Sequence, residues 1–148
     1  MIFLEPDIDY AIELISPLLE EHSKEAGFNY AHGFNITPNY DLYREAFRLG
    51  GLYILVAMED KEVKGYLVTF IIDHHQNNLK LATSDLLYVH PSKRGSTLWK
   101  ELIGRVEQSL RLKGVNVLSL TVKPEHGVLL KRIAYNPMEV TYSKNLGE

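Results

Sequence analysis

The stretch SDLLYVHPSKRGSTLWKELIGRVEQSLRLK, residues 84–113, decides the fold. It opens with an apolar strand, Leu86, Leu87, Tyr88 and Val89, which ends at His90-Pro91. A short basic turn follows, Ser92-Lys93-Arg94-Gly95, and then an amphipathic helix predicted over 96–113. Leu98, Leu102, Val106 and Leu110 recur at i+4 and are flanked by Trp99 and Ile103, so one face of that helix is apolar. Gly114 is its natural stop. A helix N-terminus exposes unpaired amides and the positive end of the macrodipole, so a turn carrying Lys93 and Arg94 there suits a pyrophosphate.

Working outward, Val115 to Val122 is β-branched and nearly continuous in apolar character, as expected of a strand covered on both faces. A helix of this length is the usual crossover between parallel strands, so 115–122 should lie parallel to 79–89. Upstream, 52–58 and 63–72 read as two antiparallel strands joined by Glu59-Asp60-Lys61-Glu62, a hairpin turn without the favoured Asn-Gly. Alternation along 79–89 puts Leu79, Leu81, Thr83, Asp85, Leu87 and Val89 on one face. Nearer the start, Ile2 to Leu4 is a short strand. Asp7 then caps a helix whose Ile8, Ala11, Ile12, Ile15, Leu18 and Leu19 share a face, kinked or broken at Pro17 and ended by Gly27. Residues 28–39 read as an irregular loop, and 41–49 as a helix with Leu42, Ala46 and Leu49 inward. Residues 125–134 form a short helix and 138–145 a final edge strand. The fold class is α/β with a mixed sheet, antiparallel N-terminal strands being joined to a parallel pair by the central helix.

Composition narrows the function. The 148 residues suit one domain, with no repeat or linker to divide them. A net charge of −3 gives no general attraction to nucleic acid or anionic lipid, and no basic face with interleaved aromatics points to nucleic acid. No apolar run approaches the ~20 residues needed to span a bilayer. Glu5, Asp7 and Asp9 interrupt the opening apolar residues, against a signal peptide. With no cysteine there is no thiolate nucleophile, and a soluble, cytoplasmic protein is expected.

The order of elements over nearly the whole chain resembles the GNAT superfamily of N-acetyltransferases. Two stretches carry it, Asp85 to Gly95 and LLKRIAYNPMEVTYSKNL at 129–146. His74-His75, Val122-Lys123-Pro124-Glu125-His126 and Tyr142-Ser143-Lys144 look most like GNAT proteins encoded by tailed bacteriophages. The resemblance implies acetyl-CoA as acyl donor and a primary amine as acceptor, on a small molecule or a protein. It implies that the backbone of Leu87, Tyr88 and Val89 holds the thioester end and that Arg94, Gly95, Ser96, Thr97 and Leu98 hold the pyrophosphate. Arg94 and Gly95 match the opening of the family's Arg/Gln-x-x-Gly-x-Gly/Ala loop. Its later small positions fall on Thr97 and Trp99, its usual tyrosine acid on Leu130 and a cofactor-holding Asn on Lys123. Those departures motivate an alternative, a GNAT-fold binding or virion-associated protein without turnover. Family members often form homodimers, and residues 28–39 correspond to the variable loop that shapes acceptor pockets.

Direct attack by the amine needs no covalent enzyme intermediate, so the missing cysteine is no obstacle. Asp85 is a candidate base, because a carboxylate among apolar neighbours loses hydration and its pKa rises. It reads equally as a carboxylate satisfied by the amides of a strand bulge. His75 is a candidate base or substrate contact, since His74 and His75 should point to opposite faces, or else both are polar turn residues. His126 follows the C-terminal end of the parallel strand, where ligands gather in α/β sheets, or simply starts a helix. Tyr135 and Tyr142 are phenols that could donate a proton, or core residues. No metal site is expected, an adjacent His pair being poorly spaced for ligation.

Overall fold

The computed structural model describes residues 1–147. By their internal contacts these fall into two compact units, Met1–Leu19 with Thr37–Thr121, and Glu20–Ile36 with Val122 onward.

The first unit holds a five-stranded sheet of order β1-β2-β3-β4-β5. Strand β1 (Ile2–Leu4) pairs antiparallel with β2 (Leu52–Glu59), β2 with β3 (Glu62–Asp73), and β3 with β4 (Lys80–Val89). β5 (Val117–Ser119) runs parallel to β4. The β2–β3 turn places Asp60 at φ 53° and Lys61 at φ 65°, which meets the backbone demand of a tight hairpin without Asn-Gly.

Helix α5 (Leu98–Leu112) covers one face of the sheet with Leu98, Leu102, Ile103, Val106 and Leu110, all buried as their spacing predicts. Gly65 on β3 faces it so closely that a Cβ would lie 2.9 Å from Leu102 Cδ1 and 2.9 Å from the Tyr88 carbonyl oxygen. Helices α1 (Ile8–Ile15) and α4 (Tyr40–Arg48) cover the opposite face. Asp7 caps α1, accepting from the Tyr10 amide at 2.9 Å, and Arg44 Nε donates to Asp9 Oδ1 at 3.0 Å, tying α4 to α1. Pro17 breaks the first helix as expected, through a 3₁₀ turn at Ser16–Leu18 into α2 (Leu19–Ser23).

Several expectations are corrected. In α4 the half-buried residues are Tyr40, Tyr43, Ala46 and Phe47, whereas Leu42 and Leu49 are exposed. Aromatic residues at i, i+3 and i+7 make the inner face there, not the aliphatic ones. The expected 28–39 loop is helical in its first half, as α3 (Gly27–His32), closed by Gly33 at φ 73°. The strand expected over 115–122 forms a ladder only over Val117–Ser119. The helix expected over 125–134 is a 3₁₀ turn, Pro124–His126, followed by α6 (Gly127–Lys131). Residues 138–145, expected as an edge strand, carry no strand despite their alternation, because a strand exists only through a ladder partner.

The second unit contains α3, α6 and the C-terminal stretch. His32 Nε2 lies 2.9 Å from Ser143 Oγ, Phe28 packs edge-on against the His32 ring at 4.9 Å, and Lys123 Nζ sits 6.0 Å from the Tyr30 ring centre. No helix among the described residues is long and apolar enough to cross a membrane.

Candidate functional site

β4 organises the site. Its parallel ladder with β5 spans only Leu81–Thr83 against Val117–Ser119. One further bond, from the Thr121 amide to Ser84 Oγ at 2.9 Å, follows it. Past Ser84 the β4 backbone continues to Val89 with no β5 ladder beside it. The parting leaves an edge whose amides and carbonyls have no strand partner on that side.

That edge leads into the basic turn. His90 caps a 3₁₀ turn at Pro91–Lys93, its Nδ1 accepting from the Ser92 amide at 3.1 Å. Gly95 sits at φ 84°, a backbone region that side chains resist, with open space where a Cβ would stand. Arg94 is exposed, donates from Nε to the Val89 carbonyl at 3.1 Å and lies 5.9 Å from the Tyr88 ring centre. Lys93 is drawn off to Glu59, with Nζ 2.6 Å from Oε1. That bond holds the Glu59 carboxyl below the usual carboxylate value.

Thr97 precedes α5, and its carbonyl accepts from the Glu101 amide at 3.0 Å. The first-turn amides of Leu98, Trp99 and Lys100 have no carbonyl within the helix to reach. Ser96 Oγ takes the first of them, at 3.3 Å from the Leu98 amide, while donating to the Lys93 carbonyl at 2.5 Å. The Leu98 side chain belongs to the core, and Trp99 is half-buried. Leu87 and Val89 face α5 through their pairing with Leu67 and Gly65. Tyr88, on the other face, is buried and stacks on Tyr66 at 5.3 Å.

Asp85 sits at a bulge. Val68 pairs with Leu86 and Thr69 with Ser84, which leaves Asp85 as the extra residue. Unbroken alternation would group Asp85 with Leu87 and Val89; the bulge instead aims it at the α4 side, where Tyr43 donates to Asp85 Oδ2 at 2.5 Å. Burial around the carboxylate raises its pKa above the ordinary value, and the Tyr43 bond opposes that rise. The Tyr43 hydroxyl is pushed up, by burial first and the adjacent carboxylate second, so it stays protonated far into the alkaline range. Tyr43 also packs on Phe70, with ring centres 5.5 Å apart.

Tyr43 escaped the sequence reading. Its signal was the aromatic spacing Tyr40, Tyr43, Phe47. It lines a cavity of about 40 Å³ between α1, α4 and the sheet, along with Ala11, Ile12, Ile54, Val68 and Leu86.

His74 and His75 stand elsewhere in the first unit. They lie in the β3–β4 turn with rings stacked at 5.2 Å and 15°, side by side rather than pointing to opposite faces. That turn meets β4 at Lys80, and β4 is 10 residues long, so about 30 Å of strand separates it from the basic turn. His75 therefore does not converge with Arg94 or Gly95. His126 is exposed at the end of the 3₁₀ turn before α6, in the second unit, with Leu130 and half-buried Tyr135. Tyr142 is exposed. No cluster of three or more metal-ligating side chains occurs among the described residues.

A family model described as Acetyltransferase (GNAT) family matches residues 16–129. No curated protein matches the sequence. Among solved structures, a ribosomal-protein-alanine N-acetyltransferase from Brucella melitensis biovar Abortus 2308 superposes with a TM-score of 0.72 at 19% identity, over 99% of each chain. An aminoglycoside acetyltransferase from an uncultured soil metagenomic sample gives 0.77 at 14% identity, over 99% of this chain and 98% of that one. Glucosamine-6-phosphate N-acetyltransferase from Arabidopsis thaliana gives 0.72 at 16% identity, over 99% and 98%. At these identities the likeness is one of fold.

Proposed function

The chain belongs to the GNAT acetyltransferase family, and from that premise we propose that it moves an acetyl group from acetyl-CoA to a primary amine by direct attack. The observation that carries the proposal is the parting of β4 from β5, which leaves an open strand edge running from a bulged carboxylate to a basic turn and a helix N-terminus. The donor set fits the diphosphate of the coenzyme. Arg94 supplies charge, the Trp99 and Lys100 amides of the first α5 turn have no carbonyl within the helix to reach, and Gly95 keeps the turn clear of a Cβ. Acetyl-CoA supplies an activated thioester, whose carbonyl carbon gains a bond to the amine nitrogen as the C–S bond breaks and the thiol leaves.

The residues have separable parts in this reading. Alkylammonium groups titrate near about 10, so at neutral pH the acceptor arrives protonated and must lose a proton before it can attack. Asp85 takes that proton, and its raised pKa makes it a better base than an exposed carboxylate. Tyr43 orients it through the 2.5 Å bond. The β4 edge beyond the bulge offers an amide to the developing oxyanion, a contribution of about 3–4 kcal/mol where such donors have been removed. Leu130 brings no phenol to the family's usual acid position, so the thiolate takes its proton from water. His75 and His126 have no step assigned to them. The closeness to GNAT proteins of tailed bacteriophages, the single-domain organisation and a cytoplasmic location belong to the same proposal.

Calorimetry with acetyl-CoA tests it. Wild type should bind saturably, and Arg94→Glu should bind at least about tenfold more weakly, a change of about 1.4 kcal/mol. Equal weak heats from both proteins, with no thiol released in the presence of any amine, would leave the non-catalytic GNAT-fold reading in its place.

A further inference from the structure

The cavity between α1, α4 and the sheet is lined almost entirely by carbon. Ala11 and Ile12 come from α1, Ile54, Val68 and Leu86 from β2, β3 and β4, and Tyr43 from α4. It is partly open, so it is not a sealed packing flaw. Two of its walls lead directly to the carboxylate at the bulge. Leu86 is the next residue in the chain after Asp85, and the Tyr43 ring carries the hydroxyl that donates to Asp85 Oδ2. An apolar hollow therefore adjoins a polar pair that can receive a cation or a neutral amine.

We infer that this hollow receives the acceptor's substituent, so that the preferred acceptor is a primary amine bearing a compact apolar group close to its nitrogen rather than a polyhydroxylated amino sugar. The inference rests on the acetyl-transfer reading for the presence of an amine. Its selectivity rests on the cavity alone. Each methylene moved from water to such walls favours binding by about a factor of four, so two or three exceed tenfold. A hydroxyl placed there loses its water and finds few partners, which costs affinity instead. The room available, about 40 Å³, is well short of the roughly 150 Å³ of a cavity that takes one benzene ring, so it suits a short branched aliphatic group and excludes a ring.

The test is equilibrium titration of the full chain, without acetyl-CoA, with isobutylamine, 2-phenylethylamine and glucosamine, followed by backbone NMR shifts. Isobutylamine should bind at least about tenfold more tightly than glucosamine, and more tightly than 2-phenylethylamine, whose ring exceeds the hollow, and it should shift the amides of Ala11, Ile54 and Leu86. Ala11→Leu, which fills the hollow, should weaken isobutylamine at least about tenfold. Should that variant fail to melt as wild type does, Leu86→Ala serves in its place. It enlarges the hollow and should move preference toward 2-phenylethylamine. Equal or tighter binding of glucosamine, shifts confined to other residues, or unchanged affinities in a folded cavity variant would each overturn the inference. The two readings separate cleanly: absent acetyl-CoA binding with intact apolar-amine selectivity sinks acetyl transfer alone, and turnover that favours glucosamine sinks only the apolar acceptor.

Discussion

Across the sheet from one another lie two very different packings. Under α5, Leu98, Leu102, Ile103, Val106 and Leu110 are each no more than 4% exposed, and Gly65 comes near enough to Leu102 that even a methyl group has no room. Under α1 and α4 the same sheet leaves a partly open hollow and a phenol bonded to a carboxylate. The α5 face gives up nothing to chemistry and supplies most of the core. The α1/α4 face keeps space and a carboxyl group whose pKa is raised, at some cost in packing. Rigid scaffolding on one side lets the other remain unfilled.

Substitutions on the two faces should therefore fail in different ways. Asp85→Asn removes the proposed base and should lower kcat/KM by about 10²–10⁴-fold in a steady-state thiol-release assay. Its melting temperature should not fall. A raised carboxyl pKa means the folded state favours the protonated form, so the wild type gains stability from Asp85 only at low pH and loses it as pH rises through the folded pKa. Leu102→Ala, on the close-packed face, should cost about 2–5 kcal/mol in denaturant unfolding while leaving the ranking of acceptors unchanged. An Asp85→Asn protein that melts early, or a Leu102→Ala protein with altered acceptor ranking, would erase the division of labour. Smaller in effect, Tyr43→Phe removes the bond that lowers the Asp85 pKa. The acidic limb of the pH profile of kcat/KM should then move to higher pH, and a limb that stays put or moves down would detach Tyr43 from the carboxylate.

How far the sequence disclosed this follows the same divide. The α5 stripe and strands β2 and β3 were legible because their side-chain periods belong to single elements and their partners lie nearby in the chain. The hairpin turn was placed correctly even though its two positive-φ residues are Asp60 and Lys61. β5 and residues 138–145 were overextended, because alternation states a capacity for pairing and cannot supply the partner. Asp85 stands out in the sequence and shares the α4 side with Thr83 as alternation expects, but its grouping with Leu87 and Val89 fails. A bulge puts two residues opposite one on the neighbouring strand, and no count along β4 alone reveals that. Tyr43 stays hidden in the sequence because the spacing of aliphatic Leu42 and Leu49, both exposed, points to a different inner face for α4. His75 was drawn in by its chemistry, while the length of β4 carries it away from the turn that holds Arg94.

The bulge has one more effect. Because Asp85 is the surplus residue in the β3–β4 ladder, Ser84 and Leu86 already face consecutive partners, Thr69 and Val68. Excising Asp85 would close a regular ladder in which every other side chain keeps its present neighbour. The scaffold and its acid are thus independent in inheritance: a single codon lost would silence the proposed chemistry and leave the architecture whole.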